Sequence, residues 1–393
     1  LGHCGRAAGR CFASEIASEM WRTTLAIAVL GGVVGLATSR PILDMFQNKY
    51  PRYMGIMPIF VERDSSTFTA SSLPSLQGKT ALITGANIGI GLSTAKHLGR
   101  KGMRIILACR NAAKCQAAID SLVKDGVPRE LLVAADLDLS SLASTAAFAK
   151  EMLSKEKRID ALVLNAGVGP LPFQLTKDGI EAVFHTNHVG NFLLYKSLAP
   201  LIKSTAEEHG EARVVVLSSS AHYNANSVPL TTEEMNGGER DRGTHFKQCY
   251  MVSKLANLLF AKELAERTSS TNIFVNAAHP GLVASNFAVA TVEETAELCK
   301  SIPLVGGVLA PVAKGVLGAL RGGVMATGWT PDDGALTPVY LAASPEVTRD
   351  NIRGKFYVPI AQLNERTSKL ARNAKLQKDF WAFSDRLVAE KGY

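Results

Sequence analysis

Residues 79–110 read KTALITGANIGIGLSTAKHLGRKGMRIILACR. Ala81–Thr84 is a short apolar run; Gly85-Ala86-Asn87-Ile88-Gly89-Ile90-Gly91 follows, then a helical stretch to about Arg100 and a second apolar run at Met103–Ala108. Strand, glycine-rich turn, helix and strand in this order predict two parallel strands joined by a crossover helix. Gly85, Gly89 and Gly91 are spaced GxxxGxG. Glycines there permit a tight turn and a close backbone approach to a pyrophosphate at the helix N-terminus, with Asn87 and Ile88 in the same turn. The expected fold is α/β: a Rossmann-type doubly wound parallel sheet in a single domain, with a hydrophobic segment ahead of it.

The end of the second strand is where such a sheet meets the adenosine ribose, and an acidic side chain there would suit a 2′-hydroxyl. The chain instead has Cys109-Arg110-Asn111, with Lys114 one helical turn on. A guanidinium matches a 2′-phosphate in charge and geometry, so NADP(H) is the expected cofactor. Three more apolar runs end in polar or small residues. Leu131–Ala135 leads to Asp136-Leu137, near the expected adenine; Ala161–Leu164 leads to Asn165-Ala166-Gly167; Arg213–Leu217 leads to Ser218-Ser219-Ser220. Asn187 falls on a helical stretch from about Ile180 to Leu198. Strand C-terminal ends converge on the ligand crevice of a doubly wound sheet, which would gather these endings into one site.

Tyr250 and Lys254 open an amphipathic helix and, four apart, share one of its faces. A free phenol titrates near 10, and a neighbouring ammonium is expected to lower that value enough for acid/base work. His279-Pro280-Gly281 completes the series. His185, His188, His222 and His279 lie near these motifs and are expected to be satisfied structural histidines. Neither Cys109 nor Cys249 has a base placed to activate it, and no Cys pair has zinc-ligand spacing, so no metal site is expected.

From Lys79 to Ile360 the chain resembles a classical short-chain dehydrogenase/reductase, in its retinol dehydrogenase/WW-domain-oxidoreductase-like branch. The likeness rests on the ordered motifs above and on LACRN (107–111), DLDLSSLAS (136–144), TKDGIEAVFHTNHVGNFLL (176–194), RVVVLSSSAH (213–222), YMVSKLANLLFAKELAER (250–267) and HPGLV (279–283). It implies a catalytic domain at 75–365 with Tyr250 as general acid/base. Lys254 would bind the nicotinamide ribose and tune the tyrosine, Ser219 would be the catalytic serine, and Asn187 would support the lysine through water. Pro280 and Gly281 would flank the nicotinamide. Asn191 departs from the branch, which often has a His there. The implied activity is NADP(H)-dependent hydride transfer at a carbonyl or alcohol carbon. An insertion-like stretch at 288–329, apolar and glycine-rich over 301–328, would cap a pocket for an apolar small molecule such as a retinoid, steroid or lipid aldehyde or ketone, with a simple buried core segment as the equal alternative. The alternatives are a protochlorophyllide-reductase-like enzyme and a non-catalytic subunit of a membrane assembly that kept the fold.

Composition bounds the rest. With 393 residues, 47% hydrophobic and 20% charged, the chain can bury a sizeable core, which excludes intrinsic disorder; six thinly spread cysteines exclude a disulfide scaffold. The first residue is Leu1, so 1–19 reads as a presequence or an upstream fragment, with Arg10-Cys11-Phe12-Ala13-Ser14 resembling a mitochondrial processing site. Thr23–Ser39 is uncharged between Arg22 and Arg40, making 20–40 a membrane anchor, a cleaved signal or a buried helix. Proline-rich 41–74 reads as a linker. These features point to a membrane, that of the endoplasmic reticulum ahead of a mitochondrial or plastid one; a homodimer or a place in a membrane complex stays open. Of the +8 net charge, part falls in a basic tail at 366–393. Its Arg366, Lys369, Arg372, Lys375 and Lys378, three apart, fan around a helix rather than lining one face, so no nucleic-acid partner is expected.

Overall fold

A computed structural model describes residues 67–237, 242–283 and 329–393. Residues 1–19 and 20–40, most of the expected linker and the apolar stretch up to residue 328 lie outside the described residues. The chain divides into Leu1–Phe60 and Val61–Tyr393, and the described fold belongs to the second unit.

Strands and helices alternate: β1 (Thr80–Thr84), α1 (Gly89–Arg100), β2 (Arg104–Cys109), α2 (Ala112–Lys124), β3 (Leu132–Asp136), α3 (Leu142–Lys155), β4 (Ala161–Leu164), α4 (Gly190–His209), β5 (Ala212–Leu217), α5 (Arg242–Arg267), β6 (Ile273–Ala278), α6 (Pro331–Ala343), β7 (Phe356–Val358), β8 (Gln362–Leu363) and α7 (Ala374–Glu390). The sheet order is β3-β2-β1-β4-β5-β6-β7-β8. Pairing is parallel from β3 to β7, and β8 joins β7 antiparallel. This is the doubly wound Rossmann-type sheet expected from the sequence. Its order reverses between β1 and β4, which opens a crevice at the strand ends there.

The strand sequences suit a sheet covered on both faces. Every residue of β1, β4, β5 and β6 is buried, so these strands read as continuous apolar runs rather than alternating ones. Their side chains nonetheless divide by parity. Leu82, Ile106, Leu162 and Val214 face a core shared with Phe148 of α3, Leu198 of α4 and Leu259 of α5. Ile83, Ile105, Val163 and Val215 face a second core with Leu98 of α1, Ile119 of α2 and Val339 of α6. The end of the expected linker joins this second core: Leu73 is buried, like Leu76 just beyond it, and Phe68 meets Tyr340 edge-on at 5.1 Å between ring centroids.

The C-terminal residues are more than a basic tail. Helix α7 presents Phe380, Phe383, Leu387 and Val388 inward. Arg366, Lys369, Arg372, Lys375 and Lys378 are exposed, but only Lys375 and Lys378 lie on the helix, which begins at Ala374, so the expected fan around one helix does not hold for the other three. Phe380 lies 4.9 Å from the His188 ring and 6.4 Å from Phe184, and Trp381 stacks on Phe260 of α5 at 5.8 Å. In the sequence the cations of this segment mask its apolar stripe. Its packing fixes the outer face of α5, the helix that carries Tyr250 and Lys254.

Phe380 is 1% exposed. Phe380→Ala leaves a cavity worth about 3–5 kcal/mol, so thermal unfolding should begin several degrees lower, whereas exposed Lys378→Ala should leave the midpoint unchanged.

Candidate active site

The β1–α1 turn is built for close approach. Gly89 has φ +57°, a left-handed conformation that costs a side-chain-bearing residue energy. A Cβ on Gly91 would lie 2.5 Å from both the Asn165 Nδ2 and the Gly85 carbonyl oxygen. Asn165 fills that space purposefully: its Nδ2 donates to the Thr84 carbonyl at 2.8 Å and to the Gly85 carbonyl at 3.4 Å. The Ala166 amide donates to Thr84 Oγ1 at 2.9 Å. The Asn-Ala-Gly turn after β4 is thereby tied to the glycine turn after β1. No side chain caps the first turn of α1, whereas Asn111 caps α2 and Ser141 caps α3. Ile88 stands 57% exposed over this turn. Open helix N–H groups beside closely approachable backbone fit a pyrophosphate.

Arg110, Asn111 and Lys114 are exposed at the end of β2, and Asp136 at the end of β3 is exposed beside them. Asn111 Oδ1 accepts from the Lys114 amide at 2.9 Å, so that side chain is spent on the helix cap. Leu137 differs from its neighbours: it is buried in the core, and its amide donates to the Cys109 carbonyl at 3.0 Å. Any contact it makes with a nucleotide is through backbone. Cys109 and Cys115 form a disulfide with Cα atoms 5.9 Å apart, pinning the end of β2 to α2; six cysteines spread along the chain gave no sign of this pair.

The catalytic candidates converge at the ends of β4 and β5. Asn187 lies in a π-helical turn, His185–Val189, that leads into α4. Its Oδ1 accepts from the Val168 amide at 2.7 Å, and its Nδ2 donates to the Val168 carbonyl and to Ser253 Oγ, both at 3.0 Å. A Cβ on Gly167 would be 3.1 Å from Asn187 Oδ1 and 3.3 Å from Lys254 Nζ, which shows how tightly the three meet. Asn191 Nδ2 donates to the Asn187 carbonyl at 3.0 Å, so the residue that departs from the branch pattern contacts the tetrad directly.

Lys254 is 6% exposed, donates from Nζ to the Leu217 carbonyl at 3.3 Å and lies 5.6 Å from the Tyr250 ring centroid. Burial pushes its ammonium down to about 8. Tyr250 moves against expectation. Burial pushes its phenol up to about 12, and the hydrogen bond with Ser219 pulls only partly the other way. Desolvation of the phenolate dominates, and the Lys254 ammonium, 5.6 Å from the ring centroid, does not reverse it. At neutral pH Tyr250 is therefore a proton donor.

The surrounding polar residues complete the placement, and most were not singled out from sequence. Ser218 Oγ donates to the Lys254 carbonyl at 2.7 Å, Asn257 Nδ2 donates to the Leu217 carbonyl at 3.0 Å, and Ser253 links α5 to Asn187. Ser218 was legible only as a neighbour of Ser219, and Ser253 and Asn257 only through lying three residues after Tyr250 and Lys254. His188 is partnered as expected, its Nε2 with Ser384 Oγ at 2.9 Å; His185 pairs its Nδ1 with Thr176 Oγ1 at 2.9 Å, while its buried Nε2 has no hydrogen-bond partner among the described residues. His279 is different: neither ring nitrogen has a hydrogen-bond partner among the described residues. Pro280 and Gly281 follow it beside Trp329, whose amide donates to the Leu282 carbonyl at 2.9 Å. Burial raises the Cys249 thiol far above its usual range, leaving it inert, and no cluster of metal-ligating side chains occurs among the described residues.

Comparison with known proteins follows the same lines. The short chain dehydrogenase family matches residues 79–229. Retinol dehydrogenase 14 of Mus musculus is 36% identical over 323 residues, covering 80% of this chain and 86% of its own. The chain belongs to the short-chain dehydrogenase family. WW domain-containing oxidoreductase of Drosophila melanogaster is 33% identical, covering 80% of this chain and 69% of its own, so both limbs of the expected branch are represented. Among solved structures, an uncharacterised protein from Mycobacterium Paratuberculosis superposes with a TM-score of 0.59 at 29% identity, covering 82% of this chain and 98% of its own. The chain is thus an oxidoreductase of retinol dehydrogenase-like type, in a family that uses NAD(H) or NADP(H).

Gly91→Ala places a methyl 2.5 Å from Asn165 Nδ2 and the Gly85 carbonyl. Overpacking of this kind costs about 1–3 kcal/mol, and nicotinamide nucleotide binding, followed by fluorescence titration, should weaken at least tenfold. Unchanged affinity would remove this turn from the cofactor site.

Proposed function

We propose that this chain is an NADP(H)-dependent oxidoreductase that interconverts a carbonyl and an alcohol on an apolar substrate. The observation that carries the reading is the Ser219–Tyr250–Lys254 arrangement at the β5 end: a phenol held protonated by burial, bonded to the serine, with a buried ammonium behind it. The nucleotide preference rests on Arg110 and Lys114, exposed where an acidic residue would suit NAD. The substrate class rests on the apolar sequence at 301–328 and on the likeness to the retinol dehydrogenase just described. The uncharged stretch at 23–39 supports attachment to a membrane, for which the endoplasmic reticulum is our reading; no helix among the described residues is long and apolar enough to cross one.

The residues present fit the nucleotide. Backbone N–H groups of the first α1 turn would hold the pyrophosphate, Arg110 and Lys114 the 2′-phosphate, and Tyr250 and Lys254 the nicotinamide ribose. When bound, the nucleotide donates or accepts a hydride at its nicotinamide ring. In the reductive direction Ser219 Oγ and the Tyr250 hydroxyl both donate to the substrate oxygen. Tyr250 then passes its proton to that oxygen as negative charge grows on it. Their donors are aimed where charge develops, so they stabilise the transition state more than the ground state. The Lys254 ammonium offsets the phenolate left behind, and Asn187 keeps Val168 and Ser253 in place around it.

Tyr250→Phe should lower turnover by about three orders of magnitude or more while NADPH still binds; near-normal turnover would sink the assignment. Reduction by the wild type should stay level from about pH 6 to 7.5 and fall above about 8, as Lys254 loses its proton while Tyr250 keeps its own. A level profile beyond pH 9.5 would show that Lys254 carries no charge the reaction needs. Arg110→Ala should raise KM for NADPH about tenfold or more and leave KM for NADH little changed; an equal loss with both nucleotides would refute the 2′-phosphate contact.

A further inference from the structure

Ser219 is held by its backbone as well as by its hydroxyl. Its Oγ accepts from the Ala221 amide at 3.2 Å and is bonded to Tyr250. Its carbonyl accepts twice from one residue: from the His222 amide at 3.1 Å and from His222 Nδ1 at 2.7 Å. A carbonyl can only accept, so Nδ1 carries the ring proton. The other nitrogen agrees. His222 Nε2 lies 3.4 Å from the Ser368 amide nitrogen, which can only donate, so Nε2 is the bare nitrogen. Both partners thus demand one neutral tautomer, and burial, which pushes the ring down to about 4, keeps it neutral.

The far end of this link is itself anchored. Tyr223 donates to the Arg366 carbonyl, Asn364 Nδ2 donates to the Tyr223 hydroxyl at 3.3 Å, and Thr367 and Ala371 are buried. Ser368 therefore offers its amide from a segment fixed to the body of the fold. The His222 ring also meets Phe356 of β7 edge-on at 5.1 Å, which limits its rotation.

We propose that His222 is a positioning residue for the reaction: from Nδ1 it fixes the Ser219 carbonyl, and through it the serine hydroxyl, against the C-terminal segment that it grips through Nε2. The inference rests on the proposed function. It assigns the residue no contact with substrate or nucleotide.

Two near-isosteres separate positioning from packing. The Asn amide coincides with the Nδ1 side of the ring, and the Gln amide with the Nε2 side. His222→Asn keeps a donor for the Ser219 carbonyl and should hold kcat within about threefold of wild type. His222→Gln keeps only the contact to Ser368 and should lower kcat about 30-fold or more, with substrate KM and NADPH affinity unchanged. If the ring merely fills space, the larger Gln outperforms Asn, and that ranking, or two variants equal to wild type, would overturn the proposal. A measurement on the unaltered chain stands apart from the variants' folding. Nitrogen-15 resonances of labelled histidine should show Nδ1 protonated and Nε2 bare at neutral pH, and the opposite tautomer would overturn it. A wild type that binds NADPH but reduces no apolar carbonyl would bring down the functional reading itself, and this role with it. Active wild type with unaffected His222→Gln would bring down the His222 role alone.

Discussion

Everything at this site depends on how β1 and β4 are joined at the point where the sheet changes direction. The Asn165 amide donates to two successive carbonyls at the end of β1, and Thr84 returns the tie by accepting from the Ala166 amide. Polar backbone left open at strand ends is costly when buried, and here a side chain from the neighbouring strand satisfies it. The same bonds fix the glycine turn at a height that lets α1 start beneath it without a capping side chain. One asparagine thus settles strand spacing, helix position and the free amide groups together.

A second arrangement holds the reacting residues. Asn187, Ser253, Ser218 and Asn257 link α5 to the π-helical turn and to the β5 end by hydrogen bonds. Helix α7 closes the opposite side of α5 with aromatic packing. Tyr250 and Lys254 lie between a polar seam and an apolar one, and the burial that this produces sets their protonation. The phenol is kept as an acid and the ammonium is brought close to neutral pH, both by desolvation rather than by mutual attraction.

The fold was legible because its signals are local. Glycine spacing, apolar runs and small or polar strand endings each reflect short-range constraints, and β1 through β5 lie within about a residue of where those runs placed them, whereas β6 was not read from sequence. The site residues were legible as types and order, from motif and resemblance. What the sequence hid depends on packing at a distance. The sign of the Tyr250 shift turns on how dry its surroundings are, which i, i+4 spacing cannot report. Leu137 looked like a site residue because it ends a strand, yet its side chain faces the core. The cations at 366–378 drew attention from Phe380 and Phe383, whose role appears only against α5. His222 read as an ordinary buried histidine because its partners are a backbone carbonyl three residues back and an amide 146 residues away.

The direction of the strands has a consequence for how this chain reaches its folded state. From β3 to β7 every neighbouring pair is parallel, and Ala278 of β6 must find Tyr357 of β7 across the whole intervening segment. No tight hairpin can nucleate such a sheet, because parallel strands require long crossovers. Among the strands of the described sheet, β7 and β8 alone pair locally. Assembly must therefore proceed through docked strand–helix–strand units, and non-local pairing of this kind is slow. Until the last units dock, strands apolar on both faces stand open to other chains, so crowding by unfolded copies, more than weak final stability, is the hazard this architecture carries.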